Sequence, residues 1–234
     1  MIRFDHVSKC FSGHTDALSE ITVEIQDGEF VFLIGPSGAG KTTFLRLLIR
    51  DILSTGGKIF VDDWNLNTLP AGKVHLLRRF VGTVFQDFKL LTDRTVFENV
   101  ALGLEILGKG DKEIKDRVLD VLELVGLAGK QQFFPLQLSA GEMQRTGIAR
   151  AIVGGPKILL ADEPTGNLDP ETAWEILSIL QEVNKMGTTV VMATHNASIV
   201  NDLKKRTIAL DHGILVSDEK SGRYRAAAKH QKKP

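Results

Sequence analysis

The eight residues Gly35-Pro36-Ser37-Gly38-Ala39-Gly40-Lys41-Thr42 constrain this chain more than any others, because they follow the apolar run Phe30 to Ile34 and open a segment of helical pattern. They fit G-x-x-x-x-G-K-[ST] in the context this pattern needs, between a strand and a helix. The glycines let successive backbone N–H groups curve around phosphates. The helix N-terminus adds a favourable partial charge, and Lys41 can neutralise β- and γ-oxygens. Thr42, followed by Thr43, is then placed to ligate Mg²⁺. A chain built around this loop is expected to be α/β, with a parallel sheet carrying the loop.

The rest of the pattern agrees. Short β-rich pieces at Ile2 to Val7, Ile21 to Gln26 and Phe30 to Ile34, separated by turn residues, predict antiparallel strands at the start. After Gly35 strand and helix alternate: a helix from Lys41 to about Ile52, strands at Lys58 to Val61 and Gly82 to Phe85. Apolar runs then recur at Lys157 to Ala161, Thr188 to Ala193 and Arg206 to Leu210. Such runs read as parallel strands buried on both faces. Between about Asp87 and Arg150 no strand is predicted, and Ile114, Val118, Val121, Leu122 and Val125 repeat at helical spacing. The expected organisation is one domain over 1–219. Its core and antiparallel part take residues 1–86 and 151–219, a helical subdomain takes 87–150, and a basic, disordered tail runs over 220–234.

The 234 residues carry 29 Lys+Arg against 29 Asp+Glu, so no net field favours nucleic acid, and no nucleic-acid partner is expected. Hydrophobic residues at 43% exclude a disordered chain. The single Cys10 excludes an internal disulfide, no apolar stretch has the length of a spanning helix, and the start lacks a basic region followed by an apolar run. The cytoplasm is the expected compartment.

A second acidic feature stands in Ile158-Leu159-Leu160-Ala161-Asp162-Glu163, where an apolar strand delivers two carboxylates at its C-terminal end. Ligands of open α/β sheets bind at that end. Asp162 is expected to hold Mg²⁺, and Glu163 to polarise the water that attacks a γ-phosphate.

The segment Leu138-Ser139-Ala140-Gly141-Glu142-Met143-Gln144-Arg145, with Ser139 lying 23 residues before Asp162, resembles the signature of the ABC-type ATPases. Gln86 before it, and Asn167-Leu168-Asp169 and His195 after it, stand in the family's order, so the resemblance covers about Ile2 to Ser217. It implies the ABC-ATPase nucleotide-binding fold: a P-loop parallel-sheet core, an N-terminal antiparallel β subdomain and an inserted helical subdomain. It also implies ATP hydrolysis in a sandwich dimer, where the phosphate loop of one copy faces Ser139, Ala140, Gly141 and Glu142 of a second. In that scheme Phe11 stacks on adenine beside Ala17, and Gln86 senses both metal and lytic water. His195 fixes the γ-phosphate and Glu163, and Asp169 contacts the other copy. Two signature positions depart from the commoner pattern, Ala140 for Gly and Met143 for Gln. If position 140 needed positive φ or close approach to phosphate, Ala would cost on the order of 1 kcal/mol, crowd the site and slow closure.

Within the family, the stretch from Phe85 to Val100 and Ala193-Thr194-His195-Asn196 resemble the cell-division branch, although lipoprotein-release and macrolide-efflux ATPases share Ala161 to Asp169. The resemblance implies an integral membrane partner resembling FtsX, the division machinery reached through it, and a place on the cytoplasmic face of the membrane at the division site. Phe88, Leu90, Leu91, Val96 and Phe97 are expected to form a groove for a helix of that partner.

Overall fold

The computed structural model describes residues 1–12 and 15–222; the expected basic tail therefore lies outside the described residues beyond Gly222. The chain divides into two compact units, one formed by Met1–Val74 and the stretch from Met192 onward, the other by His75–Val191.

The first unit begins with β1 (Ile2–Phe11) and β2 (Thr15–Ile25), continues through β3 (Phe30–Ile34) and α1 (Lys41–Leu48), and adds β4 (Gly56–Val61) and β5 (Trp64–Asn65). The second unit contains α2 (Val74–Phe80, apart from its first residue), β6 (Val81–Val84), α3 (Val96–Ile106) and α4 (Asp111–Leu124). It continues through α5 (Ala140–Ile152), β7 (Ile158–Asp162) and α6 (Pro170–Lys185). The division falls inside β8 (Thr189–Thr194), and the chain then completes the first unit with α7 (Ala197–Leu203), β9 (Arg206–Asp211) and β10 (Ile214–Glu219).

In the first unit β2-β1-β4-β5 form an antiparallel sheet. β3, all five residues buried, pairs in parallel with β9, which carries β10 antiparallel on its other side. Phe4 of the antiparallel sheet stacks on Phe44 of α1, ring centroids 4.1 Å apart and both fully buried. Each such ring contributes roughly 1.5–3 kcal/mol by leaving water, which fixes α1, and with it the phosphate loop, against the sheet.

In the second unit β6 and β7 are parallel, with Val81 opposite Ile158 and Val84 opposite Ala161. α5 packs against α3, α4 and α6 as well as β6. α3 starts where the sequence dictates: Thr95 Oγ accepts from the Glu98 N–H, and Glu98 accepts in return from the Thr95 N–H.

Candidate functional site

The first unit holds the phosphate loop. Gly40, at φ 102°, caps α1, and a Cβ there would meet Ala17 O at 2.5 Å. Gly35, at φ 152°, is equally confined, since a Cβ would lie 2.2 Å from Leu210 O. The loop is therefore seated between β2 and β9 by positions only glycine can fill. Lys41 is buried and donates from Nζ to Gly35 O at 2.8 Å and Pro36 O at 3.2 Å, which keeps its charge inside the loop. No acidic residue stands in the first turn of α1, so nothing there opposes an incoming anion. Thr42 is exposed and Thr43 half-buried; Pro36, Ser37 and Gly38 are exposed and Ala39 buried.

Phe11 ends β1, the residue 37% exposed, with Lys9 Nζ 5.0 Å from its ring centroid. An open ring face with a cation alongside suits stacking on a nucleobase beside its phosphates. Ala17 follows on β2. His195 is exposed directly after β8, where Asn196 caps α7 by accepting from the Ser198 and Ile199 N–H groups.

The second unit holds the acidic and signature residues. Asp162 ends β7, and Glu163 follows at φ 48°, a left-handed conformation uncommon for a residue with a Cβ. Such strain collects at functional positions and turns the side chain off the line of the strand. A Cβ at Gly166 would lie 3.4 Å from Gln86 Nε2 and 3.7 Å from Glu163 Cβ, so Gln86 and Glu163 flank the same point. The sequence reading of the site did not include Gly166, because its neighbour Gln86 lies far off in the chain.

Ser139 caps α5. Its Oγ accepts from the Glu142 N–H at 3.2 Å, and Glu142 accepts from the Ser139 N–H at 2.9 Å. That leaves the hydroxyl proton of Ser139 available to an anion at this helix end. The Ser139 N–H, with Lys130 3.3 Å away, holds the Glu142 carboxyl below its ordinary value. Asp169 caps α6, and hydrogen bonds from Thr172, hydroxyl and backbone N–H, hold its carboxyl down in the same way.

The signature expectation is corrected at one point. Ala140 is the first residue of α5, exposed, and absent from the residues with positive φ, so the backbone cost expected of a positive φ does not arise. The glycine that the packing demands is Gly141, where a Cβ would approach Thr172 Cγ2 to 2.5 Å. Val96 is likewise fully buried and belongs to the core, whereas Leu91 is 41% exposed and Phe88, Leu90 and Phe97 are half-buried.

Thr42 of the first unit and Asp162 and Gln86 of the second each carry a hard oxygen of the kind Mg²⁺ takes, and Mg²⁺ typically binds through one or two carboxylates together with substrate phosphates. Among the described residues no group of three or more His, Cys, Asp or Glu could hold a metal by itself.

A phosphate loop on a parallel strand, two carboxylates ending another and a capped signature helix define a class. The ABC transporter family model matches residues 18–166, and the chain belongs to that family. It has the ABC-ATPase fold and is an ATPase of that type, a family that generally uses Mg²⁺ with ATP. It is 52% identical to the cell division ATP-binding protein FtsE of Bacillus subtilis (strain 168), over 96% of this chain and 98% of that one. The protein of that name from Mycobacterium tuberculosis (strain ATCC 25618 / H37Rv) is 51% identical over 96% and 98%. Among solved structures, the post-hydrolysis dimer of the ATP-binding cassette MJ0796 bound to ADP and Pi superposes with TM-score 0.87 at 33% identity, over 96% of this chain and 100% of that one.

Proposed function

We propose that this chain is the ATPase subunit of a membrane complex with a partner of the FtsX type, and that ATP-driven pairing of two copies activates cell-wall hydrolases during bacterial division. The observation that carries this reading is the identity of about half, over 96% of this chain, to proteins named for cell division, and the phosphate-loop and signature motifs of the sequence support it. The chain acts as one cassette, with residues 87–150 as its helical part.

In this reading Lys41 and the loop amides hold the β- and γ-phosphates, and Phe11 stacks on adenine beside Ala17. Thr42, Asp162 and Gln86 hold Mg²⁺, which neutralises phosphate charge when bound. Glu163 takes the proton of the lytic water as it attacks, and His195 holds Glu163 and the γ-phosphate in line. Ser139 and the Gly141 N–H reach that phosphate from the second copy, at a helix N-terminus suited to developing negative charge. Asp169 lies at the interface between copies. The dimer of MJ0796 supports the pairing. Leu91, with Phe88, Leu90 and Phe97, receives a cytoplasmic helix of the partner. No helix among the described residues is long and apolar enough to cross a membrane, and the partner supplies the anchor at the cytoplasmic face.

The test is affinity purification from native membranes with tagged Glu163→Gln protein held in Mg-ATP. Recovery of an FtsX-type membrane protein together with division proteins is the expected result. Recovery of a lipoprotein-release or efflux permease instead would overturn the division reading and leave the ATPase standing.

A further inference from the structure

The loop that leaves Gln86 is built in a way its own sequence does not explain. Phe88 and Lys89 stand in succession at φ 60° and 50°, a region that residues with a Cβ visit rarely and usually singly. Neither is Gly or Asn. Local bonding supplies little to hold them: Lys89 N–H reaches back only to Asp87 O at 2.6 Å, and Phe88 N–H to Phe85 O at 3.4 Å. Strain of this kind persists only where the surroundings impose it.

The imposing group is on α5, the signature helix. Arg150 donates from Nη1 to Lys89 O at 2.7 Å and from Nη2 to Phe88 O at 2.9 Å, so one planar fork takes both carbonyls of the strained pair. Phe88 O also sits over Gly147, three residues earlier on that helix, where a Cβ would lie 3.7 Å from it. Among the described residues no carboxylate is paired with Arg150, and desolvation alone lowers its pKa from the ordinary value. A partly buried guanidinium without a counter-ion is a costly arrangement if it serves packing only. A second clamp holds the other end of the loop. Asn99 of α3 is fully buried; its Oδ1 accepts from Leu91 N–H at 2.9 Å, and its Nδ2 donates to Leu91 O, Arg94 O and Thr95 O at 2.9–3.1 Å.

We propose that Arg150 is a positioning residue for ATP hydrolysis: its two-carbonyl grip ties the loop carrying Gln86 to the signature helix, so that Gln86 and Ser139 are set as one piece. The inference rests on the reading of Gln86 as the residue that touches metal and lytic water, and goes beyond it by naming what fixes Gln86. Arg is suited to the task because its fork is planar and pre-organised, whereas Lys offers a flexible point charge. The fork satisfies two carbonyls whose directions are set by the strained φ values. With the fork gone the pair relaxes toward ordinary φ, and Gln86, two residues before Phe88, loses its aim.

The experiment is a double-mutant cycle in the full chain, read as steady-state ATP turnover and nucleotide affinity. Arg150→Met keeps the apolar stem and removes the donors, and Arg150→Lys keeps the charge. Expected for Arg150→Met is a fall in kcat between about tenfold and a hundredfold, with the Kd for ATP unchanged within a factor of about two. Arg150→Lys should recover part of the loss. In a Gln86→Ala background, Arg150→Met should cost little further, because both changes remove one action. Penalties that multiply in the double variant would overturn the clamp while leaving Gln86 its role. Gln86→Ala turning over at the wild-type rate would overturn the reading beneath it, and the clamp with it. If Arg150→Met fails to fold, the Arg150→Lys cycle decides by the same criterion.

Discussion

In the proposed mechanism Glu163 is the residue on which hydrolysis turns, and its backbone conformation is compatible with that role. At φ 48° it leaves the line of β7, which turns its side chain away from the direction that an extended residue after Asp162 would take. Replacing it with Gln keeps size and hydrogen bonding but removes the base; turnover is expected to drop by about 10²–10⁴ with ATP binding retained, checked by single-turnover hydrolysis beside nucleotide binding. The helix-capping carboxylates make a second prediction. Glu142, Asp169 and Glu98 all have folded-state pKa values below their ordinary ones, so their stabilising contribution is present above about pH 4 and is lost as pH falls through the folded values. Glu142→Gln retains the capping geometry without the charge, and its melting temperature should fall less than that of the wild type between about pH 5 and pH 3. Equal falls would contradict this. At this scale the phosphate loop was readable because its chemistry is contiguous, from Gly35 to Thr42. The demand at Gly141 was not, because the atom that forbids a side chain belongs to Thr172 on another helix, and the concern fell on Ala140 instead.

The signature helix shows how element packing sets chemistry. Gly141 lets the first turn of α5 lie against α6, bringing the Ser139 cap and the Asp169 cap onto neighbouring helices. Gly141→Ala should destabilise the chain by about 1–3 kcal/mol through overpacking, and Thr172→Ser, which removes the offending methyl, should recover part of it in the double variant. Thermal denaturation of the four proteins tests the pair. Legibility at this scale followed regularity. β3, β7, β8 and β9 are continuous apolar runs and fell within a residue or so of their predicted positions. β1 and β2 run further than predicted, to Phe11 and from Thr15, because register shifts along their pairing interrupt the period-two pattern that marks a strand. α1 stops at Leu48, short of the predicted Ile52, where Arg50 turns to φ 50°. β10 was missed altogether: it leaves Ile214 and Val216 more than half exposed and offers no buried face for a pattern to report.

At the scale of the whole molecule, the phosphate loop and the signature belong to one chain, and in the proposed sandwich they serve different nucleotides. Phosphate charge is then the glue between two copies, and association is linked to ATP rather than fixed. In that reading hydrolysis is the release step, by which a chain with no helix among its described residues long and apolar enough to cross a membrane moves a membrane partner once per turnover. The sedimentation of the purified Glu163→Gln chain with Mg-ATP and again with Mg-ADP tests this most directly. The account predicts a species of twice the 25.7 kDa chain mass with ATP, reverting to the single chain with ADP and abolished by Ser139→Arg, which blocks the facing site. A chain that binds ATP but sediments as a monomer in both nucleotides, or as a dimer indifferent to them, would contradict it.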